Sequence, residues 1–507
     1  MSGAAPALDA LAVAAVAVYA LATFVLTGLG LHAGALAVVR LLRPPRPLPH
    51  APDGPWPLVV VQVPVYDEPP ALVARALDAA LALEARGPVE VQLLDDSPRA
   101  GRLANAALCA ERRGRAARRG ATLRHLSRDA RDGFKAGALA AGLHAAPPEA
   151  SARGAGRLAA VFDVDFRPAP DALLRLVPAL LADPDLAFVQ AGWAHPEADD
   201  TALGRVQAAV LDLHFAVEQA GRDRAGLPVT FNGTAGVWRV AAIESAGGWQ
   251  GDTLAEDLDL ALRAQAAGWR ARLVETVRVS ADLPPTVAAW RRQQARWAKG
   301  LAEVGRKSAG AVWRSGLSVA ARAEATAMPA LSLSLPSLLV VAVLHPVVAL
   351  AGAAGVGPAS VYVALGAGWA GLAGLLLAHV VAQRALYPDA WVGRLRRLPL
   401  VLVAPLALVV PAARAVLEAA RGRRTPFERT LKTSRPAPLP AWEGGAEAAL
   451  AVYSVLGFVA LLAVGAWAGA AFQGLLAAGF AGATLALWGA GRAAEAPAID
   501  DVRRVAA

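Results

Sequence analysis

Long apolar stretches at both ends of the chain, on either side of a middle of globular composition, constrain this sequence most. Residues 9–39 contain an apolar stretch long enough to cross a bilayer, for which about 20 residues suffice. Similar stretches occupy residues 329–353, 358–382, 447–469 and 472–490. They contribute much of the 56% hydrophobic content of the 507 residues. The sequence therefore predicts five membrane-spanning helices around a globular domain.

One further apolar run, residues 398–413, is short and is interrupted by Pro399, Pro405 and Pro411. Arginines flank it on both sides, which argues against a simple crossing. The pattern predicts a re-entrant or interfacial segment. A kinked spanning helix is the alternative, and it would raise the number of spans to six.

The arginines beside these stretches predict the orientation of the chain. Arg40, Arg43 and Arg46 follow the first stretch, whereas no basic residue precedes it. Because basic residues flank spans on the cytoplasmic side, we expect the N-terminus outside and the following domain in the cytoplasm. Arginines after the last stretch place the C-terminus in the cytoplasm as well. The chain is expected to be a multi-pass inner-membrane protein, in contact with membrane lipids.

Composition argues against two other kinds of protein. The net charge of +9 comes largely from arginine, much of it beside the apolar spans, so no nucleic-acid partner is expected. The single cysteine, Cys109, excludes an internal disulfide framework and a cysteine-based zinc site.

Changes in composition divide the chain into four parts. Residues 1–43 are expected to form an N-terminal transmembrane helix, and the proline-rich residues 44–57 a semi-rigid linker. Residues 58–310 are expected to form a cytoplasmic domain that ends in interfacial helices. Residues 311–507 then form a C-terminal transmembrane region.

Short apolar runs alternate with alanine-rich amphipathic segments through the middle of the chain. The runs are residues 58–63, 89–94, 122–126, 158–162 and 186–189. Strands that alternate with helices favour a mostly parallel sheet with helices on both faces. The predicted fold is thus α/β, doubly wound and Rossmann-like, inserted between membrane helices.

Carboxylates follow three of these predicted strands. Asp163 and Asp165 come directly after the run 158–162, where an open α/β sheet binds ligands, and can hold a divalent cation, Mg²⁺ or Mn²⁺. An Asp-rich turn is the alternative. The carboxylates that end the first two strands can converge on the same crevice and bind a base and a ribose; they are Asp67, Glu68, Asp95 and Asp96.

Two glycine-containing motifs lie elsewhere in the predicted domain. Residues 132–139 predict the start of a helix. Lys135 at this helix start either balances the charge of a diphosphate or is solvated without a ligand. Residues 231–239 suit a loop that binds sugar hydroxyls, with Trp238 as a stacking platform for a pyranose ring. A plain hairpin explains the second motif equally well.

Two polar motifs follow on predicted helices. Glu256 and Asp257 lie where a helix should begin. Asp257 is either a helix cap or a general base that takes a proton from an acceptor hydroxyl. Glu256, next to it, is expected to bind the acceptor. Gln293, Arg296 and Trp297 lie on an amphipathic helix. They are either an interfacial anchor or a site for a leaving diphosphate and a sugar.

The order and residues of this set resemble the processive, inverting glycosyltransferases of family 2. The resemblance covers residues 58–300 and is strongest to the plant cellulose-synthase-like A and C mannan and glucan synthases, with bacterial cellulose synthase subunits as further relatives. It implies a GT-A fold. The motifs that carry it are Asp95-Asp96-Ser97, Gly133-Phe134-Lys135-Ala136-Gly137, Phe162-Asp163-Val164-Asp165, residues 231–239, Glu256-Asp257 and Gln293-x-x-Arg296-Trp297.

The resemblance also implies roles for these residues. Asp257 is then the catalytic base, and Asp163 with Asp165 the metal- and diphosphate-binding pair. The nucleotide ligands are Asp95 and Asp96. The diphosphate and the acceptor end of the polymer are bound by Gln293, Arg296 and Trp297.

The implied reaction is transfer of a hexose from UDP-glucose or GDP-mannose to a growing β-linked polysaccharide, with export of the product. Phe427, Thr430 and Lys432, in residues 425–433, are similar to a gating loop of the cellulose synthases. Alternatives are a glycosyltransferase with a ceramide or diacylglycerol acceptor, and a non-catalytic membrane scaffold. Asp67 and Ala255 depart from the family, which often has Asn and Thr at these positions.

Overall fold

The computed structural model describes residues 4–48, 53–147, 156–356, 359–423, 425 and 444–495. The predicted gating residues Phe427, Thr430 and Lys432 lie outside the described residues.

An eight-stranded sheet forms the centre of the middle domain. Its strands lie in the order β3-β2-β1-β4-β7-β6-β8-β5. They are β1 (Val59–Val65), β2 (Val89–Asp95), β3 (Ala121–Ser127), β4 (Leu158–Val161), β5 (Phe166–Arg167), β6 (Leu186–Ala194), β7 (Gly236–Arg239) and β8 (Arg270–Ala281).

Alternating side chains of the central strands enter two hydrophobic cores, one on each face of the sheet. Leu158 and Ala160 of β4 belong to one core, and Ala159 and Val161 belong to the other. This period of two requires helices on both faces, as a doubly wound fold has. The α/β prediction is confirmed, together with all five predicted strands.

Strands β5, β7 and β8 were not predicted, and they make the sheet mixed. Strand β7 runs antiparallel between β4 and β6. It places the loop that precedes Gly236 at the carboxyl end of β4. The sheet topology therefore brings residues 231–235 next to the Asp163 turn.

The helices of this domain flank the sheet and then continue toward the apolar regions. They are α2 (Pro70–Leu81), α3 (Arg99–Arg118), α4 (Phe134–Ala145), α5 (Ala172–Ala182), α6 (Ala202–Leu213), α7 (Ala220–Ala225), α8 (Val240–Ser245), α9 (Glu256–Ala266) and α10 (Val287–Arg314). Residues His214–Gln219 form a π-helix between α6 and α7.

The remaining helices are mostly apolar. They are α1 (Ala4–Leu42), α11 (Val319–Ala330), α12 (Ser334–Ala353), α13 (Ala359–Leu365), α14 (Gly368–Leu386), α15 (Trp391–Arg394), α16 (Leu398–Val403), α17 (Val409–Ala420), α18 (Gly445–Ala463) and α19 (Trp467–Glu495).

Five helical segments of the described chain are long and apolar enough to cross a membrane, as predicted. A sixth candidate, Trp391–Ala407 with Val409–Ala420, bends by 46° at its break. The bend falls within the proline-interrupted run, so its geometry fits both a broken span and a re-entrant segment. The apolar helices support a multi-pass membrane protein.

Ion pairs join the domain to the first apolar helix. The Glu275 carboxylate in β8 accepts from Arg40 of α1 at 2.5 Å and from Arg224 of α7 at 2.8 Å. Arg224 also donates to the backbone oxygens of Arg40 and Arg43. The end of α1 is thereby fixed against the edge of the sheet.

Candidate active site

Asp163 and Asp165 lie in the turn that follows β4, at the carboxyl end of the sheet. The Asp163 backbone N–H donates to Thr234 Oγ1 at 2.8 Å, which ties this turn to the loop before β7. Asp165 is buried. The two carboxylates therefore lie where the sequence placed them, at a ligand-binding position of an open sheet.

Lys135 reaches this turn from the start of α4. Its Nζ lies 2.6 Å from Asp163 Oδ1 and donates to the Gly233 carbonyl oxygen at 3.0 Å. The helix begins after Gly133, whose φ of +68° favours glycine. One cation thus bridges the Asp163 turn and the loop before β7.

Asp257 approaches the same loop from the first turn of α9. A Cβ atom placed on Gly233 would lie 2.8 Å from Asp257 Oδ2, and Gly233 has a φ of +80°. Both the contact and the backbone conformation require glycine here. Ala255 occupies the N-cap position of α9, while Asp257 Oδ1 accepts from the adjacent Leu258 N–H at 2.8 Å. Asp257 is therefore not the helix cap.

Helix α10 supports the start of α9 and supplies Arg296. A Cβ atom on Gly300 would lie 2.9 Å from Ala255 Cβ, so the two helices meet closely at this point. Glu303 accepts from the Leu254 backbone N–H at 2.8 Å. Arg296 lies about one helical turn before Gly300, next to the Glu256, Asp163 and Asp257 charges.

The charges in this cluster shift one another. Burial, followed by the charge of Glu256, raises the pKa of Asp257 to about 7, against the opposing effect of Lys135. Burial also raises the pKa of Glu256, although Lys135 opposes it. Burial lowers the pKa of Arg296 despite the neighbouring carboxylates. Asp257 therefore changes protonation state close to neutral pH, as a general base requires.

The pKa of Lys135 is raised, in contrast to that of Arg296. Burial by itself would lower it, but the carboxylates of Asp163, Glu256 and Asp257 together raise it. The ammonium group therefore stays charged at neutral pH. It can balance negative charge on a ligand beside Asp163.

The two aspartates after β2 have different surroundings. Asp95 accepts from the backbone N–H of Ser97 at 2.9 Å, from Asn105 at 3.0 Å and from His125 at 2.8 Å. Although its burial opposes ionisation, these hydrogen bonds lower the pKa of Asp95. Asp96 forms a two-bond pair with Arg128. Both carboxylates are thus occupied by the protein's own donors.

The end of β1 forms the outer part of the crevice. Asp67 is exposed and has a φ of +54°, and its backbone N–H donates to Ser97 Oγ at 2.9 Å. Glu68 next to it is half-buried. The Arg131 guanidinium lies 3.4 Å above the centre of the Tyr66 ring. A flat aromatic and cationic surface therefore stands beside the predicted nucleotide ligands.

Trp238 does not reach the crevice. Its side chain is fully buried in β7, 4.4 Å from the Phe188 ring and 5.3 Å from the Phe231 ring between centroids. An indole inside the core offers no face to a sugar, which corrects the predicted stacking role. Gln293 and Trp297 in α10 are half-buried, so they retain exposed surface.

Sequence reasoning missed the residues that hold the loop before β7. They are His214, Glu218 and Gln219 in the π-helix, Gln190 in β6, and Asn232 within the loop. The one available signal, the spacing of four between His214 and Glu218, is typical of an ordinary surface pair on a helix.

Asp163 and Asp165 are the residues that the sequence predicts to hold a metal ion. No group of three or more His, Cys, Asp or Glu side chains suited to a metal occurs within the described ranges. A cation at Asp163 and Asp165 would therefore draw further ligands from water or substrate, a common arrangement for Mg²⁺.

Family profiles match most of the domain and reach into the second span that follows it. Residues 60–243 match "Glycosyl transferase family 2", and residues 160–378 match "Glycosyl transferase family group 2". Together the two matches span residues 60–378, so the predicted resemblance to family 2 glycosyltransferases is confirmed.

Plant proteins are similar to about half of the chain. A probable glucomannan 4-beta-mannosyltransferase 7 of Oryza sativa subsp. japonica is 41% identical over 259 residues, 50% of this chain and 42% of the relative. Glucomannan 4-beta-mannosyltransferase 9 of Arabidopsis thaliana is 38% identical over 257 residues, 50% of this chain and 46% of the relative. The match thus spans less than half the length of these relatives.

One solved structure with a similar chain path is a mannosyltransferase from Pyrobaculum calidifontis in complex with GDP-Man and Mn²⁺. It is 20% identical, with a TM-score of 0.48, and the similarity covers 75% of this chain and 99% of that one.

Proposed function

We propose that this protein is a membrane-embedded, inverting hexosyltransferase that extends a β-linked mannan or glucan from GDP-mannose or UDP-glucose. One observation carries the proposal. Asp257, whose pKa burial and Glu256 raise to about 7, lies in one cluster with Lys135, Asp163 and Arg296. A base and two cations beside a carboxylate pair are what displacement of a diphosphate requires.

The reaction is a single displacement. The acceptor hydroxyl oxygen forms a bond to the anomeric carbon of the donor while the bond from that carbon to the diphosphate oxygen breaks. Asp257 takes the hydroxyl proton, and the bond electrons leave with the diphosphate. Because attack occurs opposite the leaving group, an α-linked donor gives a β-linked product.

The chain's own groups balance the charge of the diphosphate. Lys135 and Arg296 provide two positive charges, and the start of α4 provides backbone N–H groups. A small cavity at this helix start is lined by Gly133, Lys135 and Gly251, among others.

A divalent cation fits the donor set of this site. Four carboxylates (Asp163, Asp165, Glu256 and Asp257) stand against two basic groups in the cluster, and oxygen ligands suit Mg²⁺ or Mn²⁺. Asp163 and Asp165 would hold the ion. When bound, it would stabilise negative charge on the diphosphate.

The acceptor side is proposed to lie toward α10. Gln293 and Trp297 expose part of their surface there, and Glu256 stands next to the base. The plant relatives carry the name glucomannan 4-beta-mannosyltransferase, which favours a polymer acceptor and a mannosyl donor. The proposed topology puts the domain and the C-terminus in the cytoplasm and the N-terminus outside, so that the apolar helices can pass the product outward.

The proposal is tested by incubating membranes that contain the protein with labelled GDP-mannose and UDP-glucose, with and without Mn²⁺ or Mg²⁺. We expect a long product that linkage-specific β-mannanase or β-glucanase digests. A product extracted entirely into organic solvent would indicate a lipid acceptor instead. Absence of transfer from both donors, by folded protein, would contradict the enzyme function.

A further inference from the structure

A chain of hydrogen bonds connects the π-helix to the loop that contacts Asp257. Glu218 Oε2 lies 2.9 Å from His214 Nδ1, and His214 Nε2 lies 2.9 Å from Asn232 Nδ2. Asn232 precedes Gly233, which contacts Asp257 and accepts from Lys135. One residue therefore separates this chain from the proposed base.

A backbone N–H group sets the direction of the hydrogen bonds that run from Thr230 to Glu218. The Thr230 N–H can only donate, so Gln219 Oε1 accepts at 3.1 Å and Gln219 Nε2 donates to Asn232 Oδ1 at 2.8 Å. Asn232 Nδ2 then donates to His214 Nε2. His214 consequently carries its proton on Nδ1, which donates to the Glu218 carboxylate.

Glu218 is held in the ionised form that this arrangement needs. Burial opposes its charge, but the His214 hydrogen bond and the Arg222 charge outweigh burial and lower the pKa of Glu218 to about 2. An ionised carboxylate only accepts hydrogen bonds. It therefore keeps the His214 proton on Nδ1 and leaves Nε2 as the acceptor for Asn232.

The chain continues toward the apolar helices. Arg222 in α7 is 1% exposed, lies 4.0 Å from Glu218 and donates to Glu324 at 2.6 Å. The second oxygen of Glu324 lies 2.9 Å from His32 in α1. The loop beside Asp257 is thereby linked, through buried polar groups, to two candidate membrane spans.

We infer that the His214–Glu218 pair is a positioning device for catalysis: it fixes Asn232, and with it the Gly233 contact to Asp257, and it ties this loop to His32 and Glu324. This inference rests on the proposed function for its catalytic consequence. The π-helix agrees with it, since such wide turns occur frequently at functional sites.

The donor side of the loop has a support that does not pass through the His214–Glu218 pair. It comes from Gln190, whose Oε1 also accepts from the Asn232 N–H at 3.0 Å. Gln190 Nε2 donates to the Thr234 carbonyl oxygen at 3.0 Å, and Thr234 Oγ1 accepts from the Asp163 N–H. Loss of the His214–Glu218 pair should therefore disturb the base more than the donor site. The inference predicts a fall in kcat with little change in the KM of the nucleotide sugar.

The test compares Glu218→Gln and His214→Ala with the wild-type protein in membranes. We expect kcat to fall by about 10- to 100-fold and the donor KM to change by less than about threefold. Glu275→Gln is the matched control for Glu218→Gln, because it makes the same change at an ion-paired carboxylate of the domain that has no link to Asn232. It should keep wild-type kcat. A folded His214→Ala variant with wild-type kcat would overturn the inference.

Hydrogen–deuterium exchange of the 229–237 segment separates this inference from the proposed function. Glu218→Gln and Glu324→Gln should both speed exchange there, whereas Glu275→Gln should not. If the wild-type protein transfers neither sugar, the proposed function fails, and the hydrogen–deuterium exchange rates alone test the inference. Faster exchange in Glu218→Gln and Glu324→Gln supports the positioning role. Wild-type exchange rates in both of these variants contradict it. If Glu218→Gln does not fold, His214→Ala replaces it in the exchange comparison, because the His214 side chain is partly exposed.

Discussion

Two groups of aspartates stand at the same end of the sheet in opposite electrostatic situations. Asp95 and Asp96 after β2 are occupied by His125, Asn105 and Arg128. Asp163 and Asp257, by contrast, belong to a cluster in which carboxylates outnumber the basic groups. The first group is engaged by the protein's own hydrogen-bond donors, and the second has the unbalanced charge typical of a functional site.

The largest expected effect concerns the base in the second group. Asp257→Asn removes the proton acceptor but preserves shape, so turnover should fall about 10²- to 10⁴-fold. Donor binding should persist, because Lys135 and Asp163 are unchanged. Transfer kinetics and equilibrium binding of the nucleotide sugar, measured on the same preparation, check both parts. Near-normal turnover in a folded variant would remove Asp257 from the mechanism.

A smaller loss is expected when the approach of the loop to Asp257 is blocked. Gly233→Ala places a methyl group against the carboxylate, and a displacement of about 1 Å can cost on the order of 10²-fold in rate. The matched control is Gly120→Ala. That glycine also has a positive φ, +69°, but its Cβ would meet no atom within 4 Å. Equal losses in the two variants would show that backbone strain, not the contact, matters.

The raised pKa of Asp257 predicts a pH dependence. Because a base works only when deprotonated, kcat/KM should be full above pH 7 and fall about tenfold per unit below it. The profile measured from pH 5 to 9 should bend near 7. In Asp257→Asn the residual activity should lack this bend, and a bend that survives there would belong to another group.

The smallest effect separates the two groups by stability. Asp95→Asn leaves buried donors without an ionised partner, so the free energy of unfolding should fall by about 1–3 kcal/mol. Asp163→Asn alters a partly exposed ion pair and should change stability less. Thermal unfolding in detergent compares them. A larger loss for Asp163→Asn would reverse the assignment of the two groups.

Much of this arrangement was predictable, because the strands that carry it are continuous apolar runs. Asp163 and Asp165 follow such a run, and parallel neighbours bring strand ends together by geometry alone. The apolar spans were equally clear, since a bilayer requires their length.

Trp238 shows what such patterns miss. Strand β7 is four residues long and antiparallel, and the glycines before it are typical of a loop, so the sequence did not indicate that the indole turns into the core. The occupied state of Asp95 was equally hidden, because His125 and Asn105 come from β3 and α3. Contacts between distant elements decide whether a carboxylate is structural or functional.

The anomeric configuration of the product made by purified protein tests the central claim most directly. Nuclear magnetic resonance of the new linkage, formed from an α-linked donor, should show the β configuration throughout, because Asp257 directs one attack opposite the diphosphate. A product with the α configuration would contradict single displacement with Asp257 as the base.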